Sequence, residues 1–145
     1  MTIASRPPLS IADYPLAEQR PDLVRSPTGK AFNDITLAAV EAGEITMADL
    51  RISATALRQQ AEIAYAAGRP TLGENFARAA ELVDIPQDEL LRIYELLRPG
   101  RAKSKDELLQ AAEQLRQRYK AGIMADFVVE AATVYEKRGL FITRF

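Results

Sequence analysis

The chain has 145 residues, 48% hydrophobic and 27% charged, with a formal net charge of −1. That is an ordinary globular composition, with no electrostatic footprint for nucleic acid and no apolar run approaching a membrane span. It has no cysteine and no histidine, which excludes disulfides, thiol catalysis and cysteine-ligated zinc and removes the usual general base near neutral pH. A self-contained catalytic triad or zinc site is therefore not expected. The opening "MTIASRPPLS" lacks the basic-then-apolar layout of a signal peptide, so the expected location is the cytoplasm.

Five of the eight prolines, Pro7, Pro8, Pro15, Pro21 and Pro27, fall in the first 27 residues. Each lacks an N–H and restrains the residue before it, which predicts an extended arm over 1–33 with at most short helical turns. The arm carries Ile11, Tyr14, Leu16, Leu23 and Val24, and these pack either on the protein's own core or on a partner. Within "RSPTGKAFNDIT" at 25–36, Gly29-Lys30 looks like the end of a phosphate-binding loop. Such a loop needs glycine where Val24 stands and Ser or Thr where Ala31 stands, and no strand pattern precedes it. The stretch reads instead as a turn, with Pro27 fixing φ and Gly29 supplying φ > 0.

From residue 34 to 138 the pattern is helical. Asn33 or Asp34 is expected to cap a short helix running through Val40 and ended by Gly43. Thr46 with Asp49 makes a capping box. Ser53 caps a helix with Leu57, Ala61 and Ala64 on one face and Gly68 as its stop. Thr71 and Glu74 read as the capping box of a helix carrying Leu72, Phe76, Ala80 and Val83. Pro86 opens the next, whose stripe Leu90, Ile93, Tyr94 and Leu97 ends at Pro99-Gly100. Ser104 and Glu107 give the cleanest box. Leu108, Ala112, Leu115 and Tyr119 then lead into Ile123, Phe127, Ala131 and Val134, with Gly122 marking a bend or division. Phe76 and Phe127 are the expected core anchors. With no period-two alternation and no internal repeat, the fold class is all-α: one domain over 1–145, a compact bundle of about five to six helices. Residues 139–145 form an apolar tail.

Carboxylates are the only acid–base groups left, for example Glu74 with Glu81 or Asp88 with Glu89, and the first pair's spacing of seven equally suits a solvated helix face. The basic run "RPGRAKSK", with Arg98, Arg101, Lys103 and Lys105, reads as a solvated loop near a helix C-terminus. Tyr65, Tyr94, Tyr119 and Tyr135 read as core or interface aromatics. Together these residues describe a helical protein without an active site of its own, which is what a subunit looks like. A free-standing helical adaptor or interaction protein is the alternative. An independent carboxylate-based hydrolase would require the isolated chain to turn over substrate.

The pieces "DYPLA" at 13–17, "PTGK" at 27–30, "DITL" at 34–37 and "DLRIS" at 49–53 carry a resemblance in their order and spacing. It continues through "LRQQAEIA" at 57–64, "NFARAAEL" at 75–82, "IP" at 85–86, "IYELLRP" at 93–99 and "ADFVVEAATVY" at 125–135. Over about residues 11–138 the chain resembles the small (gamma) subunits of adenosylcobalamin-dependent diol and glycerol dehydratases. The resemblance implies a carbon–oxygen lyase assembled as a dimer of heterotrimers of large (alpha), medium (beta) and small subunits. The large subunit would be a TIM barrel holding the diol and the catalytic groups, with adenosylcobalamin between large and medium subunits. Homolysis of the Co–C bond gives an adenosyl radical, and hydrogen abstraction, a 1,2-hydroxyl shift and loss of water yield an aldehyde. The small subunit would be helical, pack on the large one and supply no catalytic, cofactor-binding or metal residue. Tyr14, Pro15, Leu16, Lys30, Arg51 and Arg98 are the expected interface residues, with Lys30 facing a carboxylate of the large subunit. Preference between glycerol and 1,2-propanediol belongs to the large subunit's pocket and stays open. Some diol dehydratase members carry a long N-terminal extension linked to encapsulation in bacterial microcompartments; here 12 residues precede Asp13, so a targeting role is not expected. The terminal "GLFITRF" is apolar where the resemblance implies a polar tail.

Overall fold

The computed structural model describes residues 6–141, and several of its α-helices start at a capping side chain within their own segment. The helices are α1 (Leu16–Gln19), α2 (Leu37–Glu41), α3 (Met47–Leu50), α4 (Ala54–Ala66), α5 (Pro70–Leu82), α6 (Gln87–Leu97), α7 (Lys105–Tyr119) and α8 (Gly122–Lys137). Three-residue 3₁₀ turns lie at Ile11–Asp13, Pro21–Leu23 and Phe32–Asp34. No strand occurs among the described residues beyond one antiparallel bridge between Arg25 and Ala31, so the all-α expectation holds.

The caps follow the sequence with three adjustments. Thr36, not Asn33 or Asp34, caps α2, accepting from the Ala39 N–H, because residues 32–34 are wound into their own 3₁₀ turn. Thr46 and Asp49 form the expected reciprocal box on α3, and Ser53 caps α4. α5 begins at Pro70 rather than at a Thr71 cap, since proline has no N–H to lose and a φ already set for a first turn. Ser104 accepts from the Glu107 N–H, but the Glu107 carboxylate accepts from the Lys103 N–H at 2.6 Å, one residue upstream of a true box.

The chain separates into two compact units, Met1–Ala80 and Glu81–Phe145. In the first, the proline-rich segment is not a free arm. Leu9 and Leu16 are buried against Ile63 of α4, with Leu23 and Val24 packed alongside. Glu62 of α4 fixes the segment from outside: its carboxylate takes two bonds from the Arg6 guanidinium, at 2.9 and 3.2 Å, and one from the Leu9 N–H at 2.9 Å. These bonds, the arginine's first, hold the Glu62 carboxyl below its ordinary pKa.

The second unit is a helical hairpin with α6 against it. Lys105 at the start of α7 pairs with Glu136 near the end of α8, and Arg116 near the end of α7 pairs with Asp126 near the start of α8, so the two run antiparallel. Ala111, Ala112, Ala125 and Ala132 are all but inaccessible, and Leu108, Leu115 and Val128 are the largest fully buried side chains. Small residues let the two backbones approach and the three larger ones fill the seam.

Gly122 does mark a division. Lys120 takes a left-handed conformation (φ 55°), and α8 starts afresh at Gly122. The Glu81 carboxylate accepts from the Ile123 and Met124 N–H groups at 3.0 and 2.8 Å, capping the new helix from a distance in sequence. The restart shifts the helical phase, and here the expectation for Phe127 is corrected. The face toward α7 is Ala121, Ala125, Val128 and Ala132, whereas Ile123 and Phe127 lie on the opposite side and Phe127 is 39% exposed. Phe76 is half-buried, so neither phenylalanine anchors a core. Of the tail, Leu140 and Phe141 are partly buried, with Phe141 tilted against Tyr135; residues 142–145 lie outside the described residues.

Candidate subunit interface

The Pro27–Lys30 turn is organised around one buried carboxylate. Ser26 donates its hydroxyl to Asp49 Oδ1 at 2.9 Å and accepts the Lys30 N–H at 3.0 Å. Thr28 donates to the same Oδ1, and Asp49 Oδ2 accepts the Thr46 N–H at 3.0 Å. Lys30 Nζ lies 3.9 Å from Oδ2 and also donates to the Glu44 carbonyl. The Asp49 side chain is 2% exposed. The Thr28 hydroxyl foremost, then the Thr46 N–H and Ser26, outweigh burial and hold the carboxyl down at about 2. The Gly29 N–H donates to the Ser26 carbonyl at 2.9 Å, so the turn's glycine donor is used within the turn itself. The turn is a latch between residues 26–30 and the start of α3.

What the latch holds in place is unusual for a soluble surface. On α2 the buried residue is Ala39, and Leu37 and Val40 project from the other side, Leu37 being 75% exposed. On α3 the buried residue is Asp49, and Met47 (72%) and Leu50 are exposed, followed by Ile52. Both short helices thus bury their third residue and present their first and fourth, an i, i+3 pair on one face. Near the N-terminus Ile11 and Tyr14, the latter 60% exposed, border a groove of about 320 Å³ that Ile63, Leu72 and Phe76 also line. In the second unit Leu91 and Tyr94 stand exposed at a groove of about 300 Å³ whose walls include Leu90, Ile93, Leu97 and Met124. Single exposed apolar residues are normal, but clusters of this kind mark protein–protein contact.

The predicted interface residues divide under this geometry. Tyr14 and Pro15 are exposed and free to meet a partner, as is Arg51. Arg98 is exposed and paired with Glu95 at 3.1 Å. Leu16 is corrected: at 5% exposure it belongs to this chain's own core, because the 3₁₀ turn before α1 and the turn after it fold the segment back on α4. Lys30 is corrected too, since its carboxylate partner is Asp49 of the same chain. Leu37, Val40, Met47, Leu50, Ile52 and Leu91 were not expected at a surface. A signal for two of them was in the sequence: a capping box at Thr46–Asp49 turns Asp49 back toward the helix start, which leaves Met47 and Leu50 outside. The candidate carboxylates do not assemble into an acid–base pair. Glu81 caps α8, Glu89 pairs with Arg92 at 3.2 Å, and Glu74 and Asp88 are exposed.

Over residues 9–141 the sequence matches the family described as dehydratase small subunit. The chain belongs to that family. It is 48% identical over 128 residues to the propanediol dehydratase small subunit of Citrobacter freundii, a match covering 88% of this chain and 74% of that one. The protein of the same name from Salmonella typhimurium strain LT2 is also 48% identical over 128 residues, covering 88% and 73%. This chain has no histidine, and the described residues gather no group of three carboxylates that could hold a metal ion. No described helix is long and apolar enough to cross a membrane.

Proposed function

We propose that the chain is the non-catalytic small subunit of an adenosylcobalamin-dependent propanediol/glycerol dehydratase, a cytoplasmic dimer of heterotrimers with large and medium subunits. The observation that carries this is 48% identity, across 88% of the chain, to proteins named propanediol dehydratase small subunit. The site chemistry supports it. The chain has neither imidazole nor thiol, its best-buried carboxylate is spent on a latch, and its exposed large apolar groups call for a protein surface. The cofactor supplies radical chemistry when bound to the holoenzyme; this chain's part is to stabilise the subunits that hold it. Co-expression of the three subunits tests the reading. The tagged small subunit should retain a barrel-sized chain through purification, and the complex should convert 1,2-propanediol or glycerol to an aldehyde with adenosylcobalamin, while the small subunit alone should not. Turnover by the isolated chain, or its failure to retain either companion, would overturn the reading.

A further inference from the structure

The segment 34–52 pairs its apolar surface with an uncompensated charge. Leu37, Val40, Met47, Leu50 and Ile52 are five exposed large apolar side chains within sixteen residues, the first four presented by two short helices as i, i+3 pairs and Ile52 following α3. Beside them Asp34, Glu41 and Glu44 are exposed, and none is ion-paired among the described residues. Only Arg51, also exposed, carries the opposite sign on this stretch. Lys30 is already engaged by the Asp49 carboxylate and the Glu44 backbone carbonyl.

We propose that α2 and α3 form a docking surface for a companion dehydratase subunit whose matching patch is apolar at its centre and rimmed by lysine and arginine. The proposal rests on the reading of the chain as a dehydratase small subunit. The sign of the rim selects the occupant. A two-fold pair of copies of this chain would bring the same surface to itself, carboxylate facing carboxylate, with a single arginine per copy to offset three acids. Like charges brought together at a desolvated interface cost several kcal/mol, whereas a basic rim would gain by the same geometry. The latch gives the surface its shape: α3 is tied through Asp49 to the turn at 26–30, so Met47 and Leu50 are presented from a fixed backbone rather than a loose loop. A preformed surface loses less conformational freedom on docking.

The test is made in the co-expressed three-subunit complex. A photo-crosslinking residue at position 37 or 47 should join this chain to the large or the medium subunit, in a peptide containing Lys or Arg. Leu37→Glu combined with Met47→Glu should reduce recovery of companion subunits by about tenfold or more, since a buried charge replaces a central apolar contact. Both residues are exposed in the free chain, so its circular dichroism should be unchanged, which separates docking from folding. Glu41→Lys with Glu44→Lys should weaken assembly and reduce its sensitivity to salt between about 0.05 and 0.5 M, as attraction across the rim is screened in the unmodified complex. Crosslinks only between copies of this chain, or full recovery of companions with the double Glu variant, would overturn the proposal. If the unmodified chain retains neither companion, the functional reading itself fails, a result distinct from intact assembly by all variants.

Discussion

The two units of this chain are stabilised by different means. Glu81–Phe145 has long regular helices and a continuous apolar core in which Leu108, Leu115 and Val128 are wholly enclosed. Met1–Ala80 combines α4 and most of α5 with short helices and turns, and has a small apolar cluster of Leu9, Leu16 and Ile63 and two polar fasteners, Arg6–Glu62 and the Asp49 latch. It also leaves more of its large apolar side chains in water. The difference teaches that one unit carries its core within itself, while the other is shaped to share surface with something else. In the first unit, polar bonds do the positioning that packing does in the second.

The sharpest way to break that contrast is to remove the N-terminal segment. Deleting residues 1–25 takes away Leu9, Leu16, Leu23 and Val24, every member of the apolar cluster except Ile63 of α4 itself. We expect hydrogen-exchange protection of α4 to collapse and part of the helical circular dichroism to be lost, while α7 and α8 amides stay protected. Retention of full protection in α4 would show that the segment is an appendage after all. Leu16→Ala is the graded version, expected to cost about 2–5 kcal/mol as a buried large-to-small change.

A comparable loss is expected at the centre of the second unit. Leu115→Ala should cost about 2–5 kcal/mol in urea unfolding, the upper end if the α7–α8 seam cannot collapse around the cavity. Its effect should be confined to protection of α6, α7 and α8. Equal loss across α4 would mean that the two units unfold as one.

How much of this was legible in the sequence follows the same division. Helices α4 to α8 could be read because capping residues and apolar spacing act locally: Ser53, Pro86, Ser104 and Gly122 each lie at or beside the boundary they signal. The buried face of α8 could not. That helix is apolar on opposite sides, so the spacing of Ile123 and Phe127 is as regular as that of Ala125, Val128 and Ala132, and only packing against α7 decides between them. Residues at the proposed interface were harder still. Lys30 finds Asp49 and Leu16 finds Ile63 across long sequence separations that no local pattern encodes. Tyr14 and Arg51, expected at a subunit interface, are exposed in the free chain.

The Asp49 latch gives a smaller effect that depends on pH. The carboxyl is held at about 2 in the folded chain against an ordinary 3.8, so the folded state favours the ionised form. A depressed carboxyl contributes stability that is fully present above the unfolded value and is lost as pH falls through the folded one. The first unit should therefore loosen as pH drops from about 4 toward 2, with exchange rising first at residues 26–30 and the start of α3. Asp49→Asn should show that looser state already at neutral pH and flatten the dependence. An unchanged acid profile in the variant would assign the transition to other carboxylates, Glu62 first among them.

The smallest effect concerns two tyrosines of the second unit, and it distinguishes an apolar core from one that also needs polar bonds. Tyr135 donates its hydroxyl to the Leu97 carbonyl, linking α8 to the end of α6. Tyr119 has its ring beneath the Arg118 guanidinium at 5.5 Å, but its buried hydroxyl finds no partner among the described residues. Removing an oxygen that makes a bond should lose about 0.5–1.5 kcal/mol and leave the Leu97 carbonyl without its donor. Removing one that is desolvated without compensation should cost nothing and can gain stability. Tyr135→Phe should thus lower the unfolding midpoint, and Tyr119→Phe should leave it level or raise it, while the contact with Arg118 survives because it needs only the ring face. Two equal losses would show that the Tyr119 hydroxyl is bonded in solution, and the second unit would then depend on polar bonds as the first one does.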